Sequence, residues 1–435
     1  MTLPKITDRD FALMFLVMLT IAAGNTGLQS ILPALGRSLK VADSGVAAAF
    51  SVSALLWVIA APYWAKRSDQ HGRRAMILLG MVGFAVSLGL CGLFLMAGIN
   101  GWISGTLAFL LFIGGRLIYG TFGAAAPPAV QALIAGRTTR EERTKALTLL
   151  GSAFGLGTIL GPAIAPYLIL GWIGSVHIGL AGPALIFSVF GAAMVVTVYR
   201  MLPDDRGQPI EHAAAPNAYP SIAGQSSGAS ITAATAPSSE QVKFTDPRIR
   251  GWMIAGLVMG HAQTMTGQAI GFLVIDRLGL SPIDALQPTG LVLIMGAGAA
   301  LLAQWGIIPI LNLDPRRLML VGLAIAAVGT VMTGIATSLY GIALSFALAS
   351  LGFGFTRPGF TSGASLAVGA EGQGSVAGKV TSINGAAYVL GPSIGVGLYE
   401  VFKPLPYVVA GFALALLFIV AWRQLKNSPD PGAEI

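Results

Sequence analysis

Apolar residues in this chain are gathered into long runs separated by polar segments. Six runs can be drawn at about 11–35, 44–65, 75–98, 104–135, 145–170 and 176–199, and six more at about 250–275, 287–310, 317–337, 339–366, 373–400 and 404–422. A helix rising about 1.5 Å per residue needs roughly 20 residues to cross the hydrocarbon of a bilayer, and each run meets or approaches that length. The pattern therefore predicts an all-α membrane protein of twelve transmembrane helices in two pseudo-symmetric six-helix halves, 1–203 and 250–435. Between them, 204–249 reads as a flexible cytoplasmic linker, because its Ala-, Ser-, Pro- and Gly-rich stretch has too little apolar surface to bury a core.

Composition excludes a soluble protein. Only 10% of the 435 residues are charged, where a soluble domain carries roughly a quarter. The mean hydropathy is +0.76. A net charge of +8 by itself suggests nucleic acid, but the basic residues sit in short clusters between apolar runs. With both termini placed inside, twenty of the 26 Lys and Arg fall on the inner side and four (Arg37, Lys40, Arg277 and Lys403) on the outer, with Arg116 and Arg357 inside helices. This asymmetry fits the positive-inside rule with an even number of helices and predicts a multi-pass protein of the cell (inner) membrane with cytoplasmic termini. Met1–Asp10 is short and polar, without a small-residue cleavage site, so the first run reads as a retained helix. The single cysteine, Cys91, rules out an internal disulfide, and the four histidines have no metal-ligand spacing. No metal or other cofactor is expected.

The halves echo each other. Gly161-Pro162 in helix 5 returns as Gly391-Pro392 in helix 11, and Gly123 and Pro127 in helix 4 return as Gly354 and Pro358 in helix 10. The basic loop Asp69-Gln70-His71-Gly72-Arg73-Arg74 is matched by Asp314-Pro315-Arg316-Arg317. Transporters built from such repeats place their substrate near the bilayer midplane, between the repeats.

These residues resemble the major facilitator superfamily, and within it the twelve-helix drug:proton antiporters, over nearly the whole chain apart from the linker. The loop after helix 2 is similar to the family's G-x-x-x-D-R-x-G-R-R signature through Asp69, Gly72, Arg73 and Arg74, departing at Ala65 and Gln70. The resemblance implies that Asp69 caps the start of helix 11 and latches one face in one state. A loop that only sets topology is the plainer reading. Arg116-Leu117-Ile118-Tyr119-Gly120 resembles R-x-x-Q-G with Tyr119 where Gln is usual, which implies a role for Arg116 in proton coupling or substrate response. The alternative is an arginine paired with backbone carbonyls. Gly151, Gly155, Gly157, Gly161 and Pro162 resemble the antiporter motif, whose final glycines are here Ala165 and Pro166. In the family that motif goes with exporters.

No carboxylate lies deep in any run, whereas two arginines and His261 do. An ionised side chain inside a span is costly and faces a cavity or a partner. The candidate substrate-binding residues are Asn25 and Gln29 (with Thr26) in helix 1, Arg116 and Tyr119 in helix 4, His261, Gln263 and Gln268 (with Thr264) in helix 7, Arg357 in helix 10, and Asn384 and Tyr388 in helix 11. Arg357 is the foremost charge partner for an anionic substrate, or else it serves carbonyls freed by Pro358. Histidine changes charge near neutral pH, so His261 is a candidate proton carrier or else a packing residue. Arg116, Asp43 and Asp276 are the other proton-coupling candidates.

The leading expectation is a proton-linked exporter of small organic molecules, anionic or zwitterionic, working as a monomer by alternating access in the lipid bilayer. The alternative is an importer of organic anions, such as carboxylates or siderophores, on the same fold. An enzyme would need a catalytic set, and no Ser/His/Asp group or acid pair appears in the runs. A nucleotide-driven pump would need a phosphate loop, and Gly352-x-Gly354 lies inside an apolar run with no Lys-Ser/Thr after it.

Overall fold

The computed structural model describes residues 7–138, 140–205, 220 and 240–425. Most of the linker read from the sequence, 206–219 and 221–239, lies outside the described residues. The first half contains α1 (Asp8–Ser38), α2 (Asp43–His71), α3 (Arg73–Ile99), α4 (Gly105–Gly136), α5 (Arg140–Ile164) and α6 (Gly182–Met201). The second contains α7 (Pro247–Leu278), α8 (Leu286–Leu311), α9 (Pro315–Ile335), α10 (Leu339–Leu366), α11 (Gln373–Val401) and α12 (Leu405–Gln424). Among the described residues, ten of the twelve are long and apolar enough to cross a membrane. The two that fall short are α7 and α11, whose turns carry Gln263, Thr264, Gln268, Thr381 and Asn384. They pack on each other, and helices sheltered by protein tolerate polar faces that lipid would not.

Two helices depart from α geometry. In α4 a 3-10 turn covers Gly123–Ala125 just before Pro127-Pro128, where the prolines remove two backbone donors. In α8 a π-turn covers Leu302–Ile307, and its extra residue rotates the last turn of α8 relative to a regular helix. Between α2 and α3, Gly72 has φ +93°, a conformation costly for any residue with a Cβ.

The loop between α5 and α6 corrects the sequence reading, which carried helix 5 to about residue 170 and began helix 6 at about 176. Instead α5 stops at Ile164, a 3-10 turn spans Ala165–Leu168, and β1 (Leu170–Ile173) pairs antiparallel with β2 (Val176–Gly179). Gly174 at the tip has φ +62°, and Trp172 stacks on its cross-strand partner His177 at 4.9 Å. Short apolar strands and helical runs look alike in sequence, so continuity of apolar residues misleads here. Asn100 holds the hairpin against the α3–α4 turn: its Nδ2 donates to the His177 carbonyl at 2.7 Å, and its Oδ1 accepts the His177 N–H at 2.9 Å.

The halves repeat one packing scheme. Helices α1 and α5, α2 and α4, and α3 and α6 pair in the first half, as α7 and α11, α8 and α10, and α9 and α12 do in the second. Glycine sets close approaches in the corresponding helix pairs of the two halves. A Cβ on Gly157 of α5 would lie 2.6 Å from the Leu19 carbonyl of α1, and one on Gly395 of α11 would lie 2.6 Å from Met265 Cα of α7. The backbones touch there, which only a missing side chain permits. Between the halves, α2 meets α11, α5 meets α8 and α1 meets α7. The end of α1 meets the end of α7 through Arg37 and Asp276. Both halves therefore run the same way, and the start of α1, the end of α12 and the ends of the linker share one face, here the terminal face; the opposite one is the far face.

Candidate functional site

Between the halves the polar residues of α1 find partners in both. Asn25 and Gln29 are one turn apart on one face of α1 and are buried. Gln29 Nε2 donates to Gln268 Oε1 of α7 at 2.6 Å, a bond that crosses from one half to the other. Asn25 Oδ1 accepts from Arg116 Nη2 of α4 at 2.5 Å, and Asn25 Nδ2 donates to the carbonyl of Pro220 at 2.5 Å. Arg116 is fully buried, with its guanidinium 4.8 Å from the Phe50 ring centroid and 4.7 Å from that of Tyr119. Ring faces attract a desolvated cation, which helps α4 carry a charge inside the protein. Tyr119 in turn packs on Trp57 and Phe84. Thr26 and Thr264, expected at the cavity, bond backbone carbonyls. Thr26 Oγ1 donates to the Ala22 carbonyl at 2.8 Å, and Thr264 Oγ1 donates to the Ala387 carbonyl of α11 at 2.9 Å.

The second half carries its own charge. Arg357 of α10 is 5% exposed, and its Nη2 donates to the Tyr388 hydroxyl of α11 at 2.7 Å. Arg357 and Gln263 line a cavity of about 40 Å³ between α7, α8 and α10. Gln304, inside the π-turn of α8, lines it too. His261 lies two turns nearer the terminal face than Gln268 on the same stripe of α7. It is half-buried, with Nδ1 2.8 Å from the Leu257 carbonyl. Asn384 is half-buried on α11, one turn before Tyr388.

The far face holds a cluster that sequence reading did not assemble. Arg37 at the end of α1 donates to both oxygens of Asp43 (3.2 and 2.8 Å) and both of Asp276 (2.7 and 3.0 Å). Tyr399 donates to Asp276 at 2.6 Å, and Lys403 Nζ lies 3.5 Å from it. The Ser44 N–H donates to Glu400 at 2.8 Å, and deeper in, Ser393 donates to Ser51 at 2.7 Å. Asp43 and Asp276, expected as proton sites, are thus bound together by one guanidinium spanning the two halves.

On the terminal face, Asp69 pairs with Arg73 within its own loop. The start of α3 is capped by Asp205, which lies just beyond the end of α6: it accepts the N–H of Arg73 at 2.7 Å and of Arg74 at 3.1 Å. A carboxylate there meets the positive end of the helix dipole. Arg74 donates to the Tyr199 carbonyl at 2.5 Å. The start of α11 is met by the end of the linker. The Glu240 N–H donates to the Glu371 carbonyl at 3.2 Å, the Val242 N–H donates to Ser375 Oγ at 3.1 Å, and Lys379 lies 5.3 Å from the Phe244 ring centroid. Gly161 and Pro162 lie in α5 where it crosses α1, with a Gly161 Cβ only 2.6 Å from the Gly27 nitrogen.

Residues 14–378 match the family model described as the Major Facilitator Superfamily. The chain belongs to that superfamily. It is a multi-pass membrane transporter, not an enzyme. Multidrug resistance protein 2 of Bacillus subtilis (strain 168) is 25% identical over 422 residues, covering 95% of this chain and 96% of that protein. Tetracycline resistance protein, class B, of Escherichia coli is 33% identical over 147 residues, a match that spans only 32% of this chain and 33% of that protein. Among solved structures, a bacterial homolog to the human lysosomal transporter Spinster superimposes with a TM-score of 0.71 at 13% identity, covering 97% of this chain and 98% of that one. The superfamily fold is thus shared well beyond the range of recognisable sequence.

Proposed function

We propose that this superfamily member is a proton-linked exporter of small anionic or zwitterionic organic molecules, working as a monomer in the inner membrane by alternating access. The terminal face, which carries the basic loops, is then cytoplasmic. The observation that carries the reading is the closure of the far face: Arg37 bolts the halves together there, and buried guanidinium groups sit deeper in each half. Under alternating access, a state closed at the far face is the one that exchanges cargo with the terminal side. Rocking one half against the other breaks the Arg37–Asp276 contact and opens the far side.

The charge inside the protein supports an anionic group on the cargo. Arg116 and Arg357 are both buried and no carboxylate lies deep in a span, so a negative group entering the site gains a strong partner in low dielectric. His261, half-buried beside the terminal side of the path, supports proton exchange there. Two curated relatives bear drug-resistance names, which supports export over import.

Transport by purified protein in proteoliposomes under an imposed pH gradient tests this. Anionic compounds should leave the cytoplasmic-equivalent side as protons move the other way, and Arg357→Gln should abolish the flux. Protons and anion moving in the same direction would make the protein an importer. Flux driven only by lipophilic cations would remove the anionic cargo.

A further inference from the structure

The cavity inside the second half is too small to hold a whole drug. Pockets that enclose one measure roughly 300–1,000 Å³. This one, at about 40 Å³, compares with the roughly 10–15 Å³ that a single water requires. It holds a polar group of a few heavy atoms. Small residues keep it open, with Gly267 on α7 and Gly296, Ala297 and Ala300 on α8. Its polar edge is made of Arg357, Gln263, Thr266, Gln304 and Ser350, and among the described residues no carboxylate lines it.

Two features fix what would fit. Arg357 is oriented by its bond to Tyr388 and presents a positive charge to the cavity wall. Gln263 Oε1 is buried and accepts no hydrogen bond among the described residues. An anion alone satisfies the first and repels the second. A group carrying both an anionic oxygen and an adjacent N–H or O–H satisfies both, since a buried acceptor gains by meeting a donor. The π-turn of α8 adds the Gln304 amide to the same wall.

We infer that this cavity is a head-group subsite for a carboxylate bearing an adjacent hydroxyl or amine. The carboxylate lies against Arg357, the neighbouring donor meets Gln263 Oε1, and the rest of the molecule projects from the pocket mouth. The inference rests on the anionic-cargo proposal and narrows it from net charge to a specific pair of groups. It also separates two roles for the buried cations: Arg357 reads the head group, while Arg116 is held among Asn25, Phe50 and Tyr119 in the first half.

The test is binding of three probes to the full-length protein in nanodiscs, by titration calorimetry without any gradient: mandelate, phenylacetate (which lacks the hydroxyl) and mandelamide (which lacks the charge). Mandelate should bind about 5- to 10-fold more tightly than phenylacetate, the worth of one hydrogen bond, and mandelamide should not compete. Gln263→Leu should erase the difference between mandelate and phenylacetate and leave phenylacetate binding as it was. Arg357→Gln should weaken both by at least about 30-fold, Arg357→Lys by less, and Ala297→Leu should block both by filling the cavity. Unfolding temperatures of each variant show that the fold survives, and Gln263→Leu and Ala297→Leu test the subsite without altering its charge.

Failure of mandelate to bind the wild-type protein, equal binding of mandelamide, or unchanged binding by Ala297→Leu would each overturn the subsite. Its failure is distinguishable from that of the exporter reading. Mandelate binding with the expected variant pattern but no proton-linked flux sinks export and leaves the subsite standing. Proton-linked export of other cargo that Arg357→Gln leaves intact does the reverse.

Discussion

Replacing Arg37 with glutamine should open the far face. Arg37 makes four hydrogen bonds to two carboxylates, with side-chain exposures of 23% for Arg37, 14% for Asp43 and 16% for Asp276. Fully exposed ion pairs contribute about 0–1 kcal/mol, and breaking a fully buried one costs about 3–5 kcal/mol. This cluster lies between those limits. Asp43 belongs to the same half as Arg37, so that pair persists in both states, and only the contacts to Asp276 bear on opening. Their share is about 2 kcal/mol, roughly a 30-fold shift in the ratio of open to closed. Loss of the guanidinium also leaves Asp43 and Asp276 facing each other, which pushes the same way. Spin labels at Trp102→Cys and Ile283→Cys, both exposed on the far face, in a Cys91→Ser background would report the distance between halves by double electron–electron resonance. The wild-type protein should give one short distance, and Arg37→Gln should add a longer population. A distribution identical to wild type, in a variant with the same unfolding temperature, would refute the role of Arg37 as the bolt.

The packing leads to three further outcomes. Asp205→Ala should lower stability by about 1–2 kcal/mol through loss of the α3 cap, read as a lower unfolding temperature and faster hydrogen exchange at Arg73 and Arg74. Gln29→Leu and Gln268→Leu should each destabilise the closed far side, while the double variant should cost less than the sum, with a coupling of about 1 kcal/mol in a double-mutant cycle. Gly395→Val should disrupt the α7–α11 contact by about 2 kcal/mol or more, whereas Gly397, with open space around a Cβ, should accept alanine with no change in melting or transport.

The twelve helices, their two-fold repeat and the burial of Arg116 and Arg357 were all legible from run length, glycine-proline echoes and the rarity of charge. What was not legible depends on contacts between distant segments. Arg37 reads as one of four basic residues outside the inner loops, and nothing in its neighbourhood says that Asp276, 239 positions away, completes its site. Asp205 looks like one more acid after a helix, although it caps α3 across a gap of 132 positions. Thr26 and Thr264 read as cavity residues because they are polar inside apolar runs, yet a threonine hydroxyl in a helix is drawn to the carbonyl one turn back. The π-turn that brings Gln304 to the head-group cavity has no sequence signal. The β-hairpin was missed because its apolar residues continue those of the helix before it.

The polar character of α7 and α11 has a consequence for how the protein is made. A segment entering the bilayer from the synthesis machinery partitions by its own hydropathy, and these two fall below what the other ten achieve. They bury their polar faces on each other, stapled by Thr264 to the Ala387 carbonyl, but α11 emerges four helices after α7. During that interval α7 must be sheltered by the completed first half, which it meets through α1 and the Gln29–Gln268 bond. A separately expressed second half should therefore insert poorly unless the first is supplied alongside it.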